Sequence, residues 1–167
     1  MTIYIPAKDV AKLVRAELKT AFPGTKFSVR TDHGTTLNIE WTDGPATAAV
    51  DQITDKYAGQ GFDGMTDMRY DRNNAGTTPD GERISYCTDF VFLRRNISPA
   101  EEHALTTLLG NEIAAEHGVD FTTALHGFWP APQTIMRETG YAPEGNIHSF
   151  IRVLAEHRAA ETAEARS

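Results

Sequence analysis

Cysteine is almost missing from this chain: Cys87 stands alone. That excludes an internal disulfide and a cysteine-rich zinc site, and it fits a reducing compartment. Long apolar runs are missing as well. The opening MTIYIPAKDVAKLVR meets Lys8 too early for a secretory signal. The longest uncharged run, from Phe121 to Met136, is broken by Gly127, Pro130 and Pro132, so no membrane span is expected. Uniform positive charge is also absent, because 23 acidic residues outnumber 16 basic ones. A binder that coats nucleic acid along its whole surface is thereby excluded. No HExxH, His-x-Glu, GxSxG or Walker pattern occurs, and the six histidines (33, 103, 117, 126, 148 and 157) show no metal-ligand spacing. The residues name no catalytic group, metal or cofactor.

The charge that is present is unevenly placed. Residues 1 to 40 carry six basic and four acidic groups, and residues 83 to 95 carry three and one. Residues 41 to 82 carry three and eight, and residues 96 to 167 carry four and ten. A local basic face therefore remains open, and at 167 residues the chain is long enough to bury a core.

Val10, Leu13, Val14 and Leu18 recur at helical spacing and predict an amphipathic helix over residues 7 to 21, ended by FPG. Phe27 and Val29, then Leu37, Ile39 and Trp41, alternate with polar residues around the turn TDHGT and predict a hairpin. In WTDGPATAAV, Pro45 suits a first helical position and Asp43 or Gly44 a cap. Ala46, Val50, Ile53 and Tyr57 then carry a helical stripe to about GQG. A second hairpin is expected from GMTDMRYD through TTPDGE into one long strand, Arg83 to Arg95. Ser98 with Glu101 predicts a capped helix to about His117. A final helix should begin at Ile147, with roughly the last eight residues frayed.

The order helix, two strands, helix, two strands, helix predicts an α+β fold. Its form would be two layers, an antiparallel sheet of about four strands with helices on one face, followed by a C-terminal helical extension. The division is placed at residues 1–98 and 99–167. Phe27, Val29, Leu37, Ile39, Trp41, Val50, Ile53, Phe90 and Phe92 are expected to share one core, with Phe62 and Met65 plugging it from the FDGMTD loop.

Two strings stand out as candidate contact sites: WTDGP, with Trp41, Asp43 and Gly44, and FDGMTD, with Asp63, Gly64, Met65 and Asp67. The plain reading of the first is a strand-to-helix corner. Its free amides could also hold an anion, although Asp43 sits where the anion would go. The second reads plainly as a tight turn, with a partner-contacting acidic loop or a carboxylate metal site as alternatives. The two strings are expected to be separate corners, each fixing a helix end. A third candidate is the stripe Lys8, Lys12, Arg15 and Lys19 on the first helix, extended by Lys26 and Arg30, which suits phosphates but is ordinarily just a solvated face.

FPGTKFSVR, WTDGP, GFDGMTDM and DFVFLRR, in that order, resemble the large polyvalent-protein-associated domain family that is twenty-ninth of its series, over roughly residues 5 to 98. The resemblance implies a module of very large phage and conjugative-element proteins or of short free-standing ones, helping invading DNA become established, and carries over no catalytic residues. The expectation is thus a non-enzymatic accessory protein of a phage or plasmid in the bacterial host cytoplasm, with no cofactor, binding a macromolecule that is a protein rather than a nucleic acid. The alternatives are a nucleic-acid module using the first helix and a small enzyme centred on Asp43, Asp63 and Asp67.

Overall fold

The structure, a computed structural model, describes residues 2–63, 65–66, 68–72 and 74–164, without the side chains of Phe62, Ala163 and Glu164. The chain divides into two compact units, residues 1–96 and 97–167. It is mixed α+β, with small mixed sheets in place of the single four-stranded antiparallel sheet that the strand count suggested. Among the described residues no helix is long and apolar enough to cross a membrane.

The first unit opens with strand β1 (Thr2–Pro6) and helix α1 (Ala7–Ala21). The helix has the bounds that its periodicity predicts, and Val10, Val14 and Leu18 are fully buried along one side while Leu13 lies exposed. Strands β2 (Ser28–Asp32) and β3 (Thr36–Thr42) form the expected hairpin, with Val29 opposite Ile39 and Arg30 opposite Asn38. Helix α2 (Thr47–Thr54) and a short 3-10 turn (Asp55–Tyr57) follow. Pro45 is not its first residue. The cap position is Ala46, whose own side chain makes no cap bond, so neither Asp43 nor Gly44 occupies that position.

The segment after α2 departs most from expectation. Strands β4 (Gln60–Asp63) and β5 (Met68–Asp71) pair with each other. Strand β6 (Ala75–Thr77) pairs with β7 (Arg83–Cys87) across the predicted turn, where Gly81 N donates to the Thr78 carbonyl at 3.0 Å. Strand β7 also pairs in parallel with β1. The expected long strand is therefore two: β8 (Phe90–Asn96) belongs to another sheet, parallel to β3 in the order β2-β3-β8. The break falls where backbone groups are taken by other partners. The Thr88 carbonyl accepts Gly59 N at 2.9 Å and Asn74 Nδ2 at 3.1 Å, and Asp89 N donates to the Thr35 carbonyl at 2.8 Å. A backbone whose bonds go elsewhere cannot continue a ladder.

The core of this unit gathers Val10, Val14, Leu18, Val29, Leu37, Ile39, Trp41, Val50 and Tyr57, with Phe27, Ile53, Val91 and Leu93 packed against it. From β8 the core takes Val91 and Leu93, not the expected Phe90 and Phe92. Phe92 is 56% exposed on the opposite face. In FVFL every residue is apolar, so alternation cannot choose a face, and a slip by one residue exchanges the two sets.

The second unit is helical: α3 (Pro99–His117), α4 (Phe121–His126), α5 (Gln133–Thr139) and α6 (Ile147–Glu164), with the two-residue strands β9 (Trp129–Pro130) and β10 (Glu144–Gly145) bridging antiparallel between them. Ser98 Oγ accepts Glu101 N at 3.4 Å, as the sequence predicts, and Gly118 closes α3 in the left-handed region at φ 64°. Gly110 is needed for close approach, because a Cβ there would meet the Phe121 ring at 2.6 Å. Leu105, Leu109 and Ile113 pack with Ile135, Phe150 and Leu154. Helix α6 reaches Glu164, beyond the point where fraying is expected; its Ala- and Glu-rich end has high helix propensity. Residues 165–167 lie outside the described residues.

Candidate functional site

WTDGP makes a tight corner at the end of β3. Trp41 is 2% exposed; its indole N–H donates to the Pro45 carbonyl at 3.0 Å, and its ring lies 5.5 Å from that of Phe27. Asp43 and Gly44 both adopt positive φ, 55° and 67°. The Asp43 amide donates to the Asn96 carbonyl at 2.8 Å and so carries the β3–β8 pairing one step past the strand. Gly44 has a second constraint, since a Cβ there would meet Thr25 Oγ1 at 2.6 Å. The corner is built by an indole pin and two left-handed residues.

FDGMTD is the connection between β4 and β5. Asp63 Oδ1 accepts Met65 N and Oδ2 accepts Thr66 Oγ1, both at 2.9 Å. The backbone bond first and the hydroxyl bond second hold the Asp63 carboxyl below its usual range. Asp63 thus fixes a hairpin turn, whereas a helix end was expected. Met65 is 96% exposed and plugs nothing. Gly64, Asp67 and the side chain of Phe62 lie outside the described residues. Asp43 and Asp63 belong to different turns, and among the described residues no group of three or more His, Cys, Asp or Glu could hold a metal ion.

The basic stripe divides. Lys8, Lys12 and Lys19 are exposed along α1, with Lys12 Nζ 2.7 Å from Asp9. Arg15 instead turns to the sheet and donates to the Val29 carbonyl. There it joins Lys26 and Arg30 in lining a cleft of about 660 Å³ at the end of the sheet where β2 begins and β3 and β8 finish. The nearly buried Trp41 is also among its lining residues, and Ser28, Thr42 and Asn96 add polar groups beside the single carboxylate Glu40. The tertiary fold therefore merges two lists that the sequence kept apart, the cations and the corner tryptophan. Three of the six predicted cations meet there; Lys8, Lys12 and Lys19 do not line it.

Sequence reasoning missed Asn74. Its amide donates to the carbonyls of Tyr57, Tyr86 and Thr88 at 3.3, 2.7 and 3.1 Å, tying the end of α2's extension to β7. It also missed Glu17, whose Oε1 accepts from Lys56 Nζ at 2.8 Å and Tyr57 Oη at 2.9 Å. Burial, helped by that carboxylate, pushes the Tyr57 phenol well above its usual range. These contacts span 12 to 40 residues of sequence, and no local pattern marks them.

Residues 5–98 match the family described as large polyvalent protein associated domain 29. The match covers more than half of the chain and nearly all of the first unit, and the protein belongs to that family. No curated protein and no solved structure matches.

Proposed function

We propose that the protein is a non-enzymatic accessory module of a phage or plasmid, acting in the bacterial cytoplasm by binding a macromolecule that presents negative charge to the first unit. The observation that carries this reading is the cleft, where Arg15, Lys26 and Arg30 come from α1, the segment before β2 and β2 itself to stand around Trp41. Cations gathered from separate elements into one cleft suit an anionic group held at a defined position. Family membership supports the mobile-element setting.

The test is to recover partners from a bacterial host lysate with the wild-type protein and with the double variant Lys26→Glu/Arg30→Glu, each with and without nuclease. A discrete partner enriched by the wild type and lost from the variant is the expected result. Identical recoveries by the two proteins would remove the cleft from the account.

A further inference from the structure

The open face of the β2-β3-β8 sheet carries a second feature, on the strand formed by DFVFLRR. Since Val29, Leu37, Ile39, Val91 and Leu93 point into the core, the alternate residues stand on the other face. Phe90 and Phe92 are there, stacked with ring centroids 5.8 Å apart and planes 12° from parallel. The guanidinium of Arg69, from β5, lies over the Phe90 ring at 5.7 Å. Phe92 remains 56% exposed. An aromatic ring braced by a second ring and left open to water on a sheet lacks the burial that justifies a large apolar side chain.

Register gives the face its order. Phe92 lies opposite Asn38, and Asn38 opposite Arg30, so one row across the sheet reads ring, amide, cation. Neighbouring strands are about 4.8 Å apart, which puts the two ends of the row about 10 Å from each other at the backbone. That is the reach of one nucleotide from its base to a neighbouring phosphate. The next row places Arg94 beside Glu40 and Ser28, and the row on the other side places Phe90 beside Thr36 and Asp32. Arg30 also lines the cleft with Lys26 and Arg15, so the cations of the face and of the cleft are continuous. They outnumber Asp32 and Glu40, the carboxylates of those rows.

We infer that this face binds single-stranded nucleic acid, with Phe92 stacking on a base, Asn38 meeting the base edge, and Arg30 and Lys26 leading the phosphates into the cleft. Stacking on a sheet-borne ring tolerates any base, while a duplex hides its base faces and cannot use it. The inference rests on the binding-module reading above and names its partner class. It places the contact on β8 and β2, not on the outer face of α1.

The test uses fluorescence anisotropy at low salt with labelled oligothymidylate and oligouridylate of roughly twelve nucleotides, within the span of single-strand sites, and a duplex of the same length. Both single strands, or one of them, should bind in preference to the duplex, and the preference between them identifies the sugar. Phe92→Ala should weaken binding about tenfold, with Phe92→Tyr close to the wild type. Arg30→Glu should lower the slope of log affinity against log salt by about 0.7. Phe92→Trp supplies a second readout, because its fluorescence should be quenched as the oligonucleotide binds. The inference is overturned by a failure of both single strands to bind, by preference for the duplex, or by binding that survives Phe92→Ala and is lost in Lys8→Glu/Lys12→Glu/Lys19→Glu. Nuclease-resistant, cleft-dependent protein capture without oligonucleotide binding would retire this inference and leave the binding-module reading standing. Oligonucleotide binding that ignores Lys26→Glu/Arg30→Glu but needs Phe92 would keep the sheet face and remove the cleft.

Discussion

The two units solve the same problem of burying apolar surface in different ways. In residues 97–167 the core side chains lie on helices at regular spacing, Leu105, Leu109 and Ile113 on α3 and Ile147, Phe150, Ile151 and Leu154 on α6. The helix starts and stops are local: Ser98 and Asp120 at N-termini, Gly118 and Gly140 at C-termini. In residues 1–96 the core joins α1 and α2 to strands that meet across long stretches of chain, and the connections are held by carbonyls and amides borrowed from elsewhere, as at Thr88 and Asn74. In the helical unit Phe150 is fully buried on α6 while Phe128 and Tyr141, both exposed, lie in the connections between helices; in the sheet unit the exposed Phe92 stands in the middle of β8. Phe92 is set on a regular strand and stacked on Phe90, and that placement is the basis of the binding role inferred above.

The comparison can be broken hardest in the cores. Phe150→Ala in the helical unit should cost about 3–5 kcal/mol, and Leu37→Ala or Ile39→Ala in the sheet unit about 2–5 kcal/mol, measured by denaturant unfolding. A melt unchanged by either class would reject that unit's core. A finer test separates the two faces of β8. Leu93→Ala should destabilise by about 2 kcal/mol or more, whereas Phe92→Ala should change stability by only about 0.5 kcal/mol. The reverse order would mean that the strand sits in the register expected from sequence.

The smallest effect concerns pH. Arg158 holds Glu138 by two hydrogen bonds of 2.9 Å, and this contact first, with the Coulombic attraction, keeps the Glu138 carboxyl below its usual range. A carboxylate with a lowered folded pKa contributes stability that is fully present above its unfolded value, about 4.3. The contribution is lost as pH falls through the lowered folded value. Thermal melts from pH 7 to pH 3 should therefore converge for wild type and Glu138→Gln at the acid end. A gap that stays constant across this range would show that the pair contributes no pH-dependent stability.

Much of the local structure was legible in advance. The bounds of α1, the hairpin of β2 and β3, the turn at Pro79–Gly81 and the Ser98 cap all follow from residues within a few positions of one another. The FVFL face was not legible, because a run without polar residues carries no alternation. The strand β1 was missed since TIYIP is short and gains its place only by pairing with β7. The candidate site was half legible. Lys26, Arg30, Arg15 and Trp41 were each singled out, yet nothing in their spacing shows that they share a cleft or that Lys8, Lys12 and Lys19 stand apart from it.

By itself the sequence determined the family, through four motifs in order, and the helices, turns and caps, since these depend on hydrogen bonds and side-chain periods that close within a turn or two of chain. Only the tertiary structure decided the division into small mixed sheets, the face of β8 and the meeting of cations with Trp41. Those depend on which distant backbone groups satisfy one another, as when Thr88 and Asp89 give their bonds to Gly59 and Thr35 and so split one apolar run between two sheets.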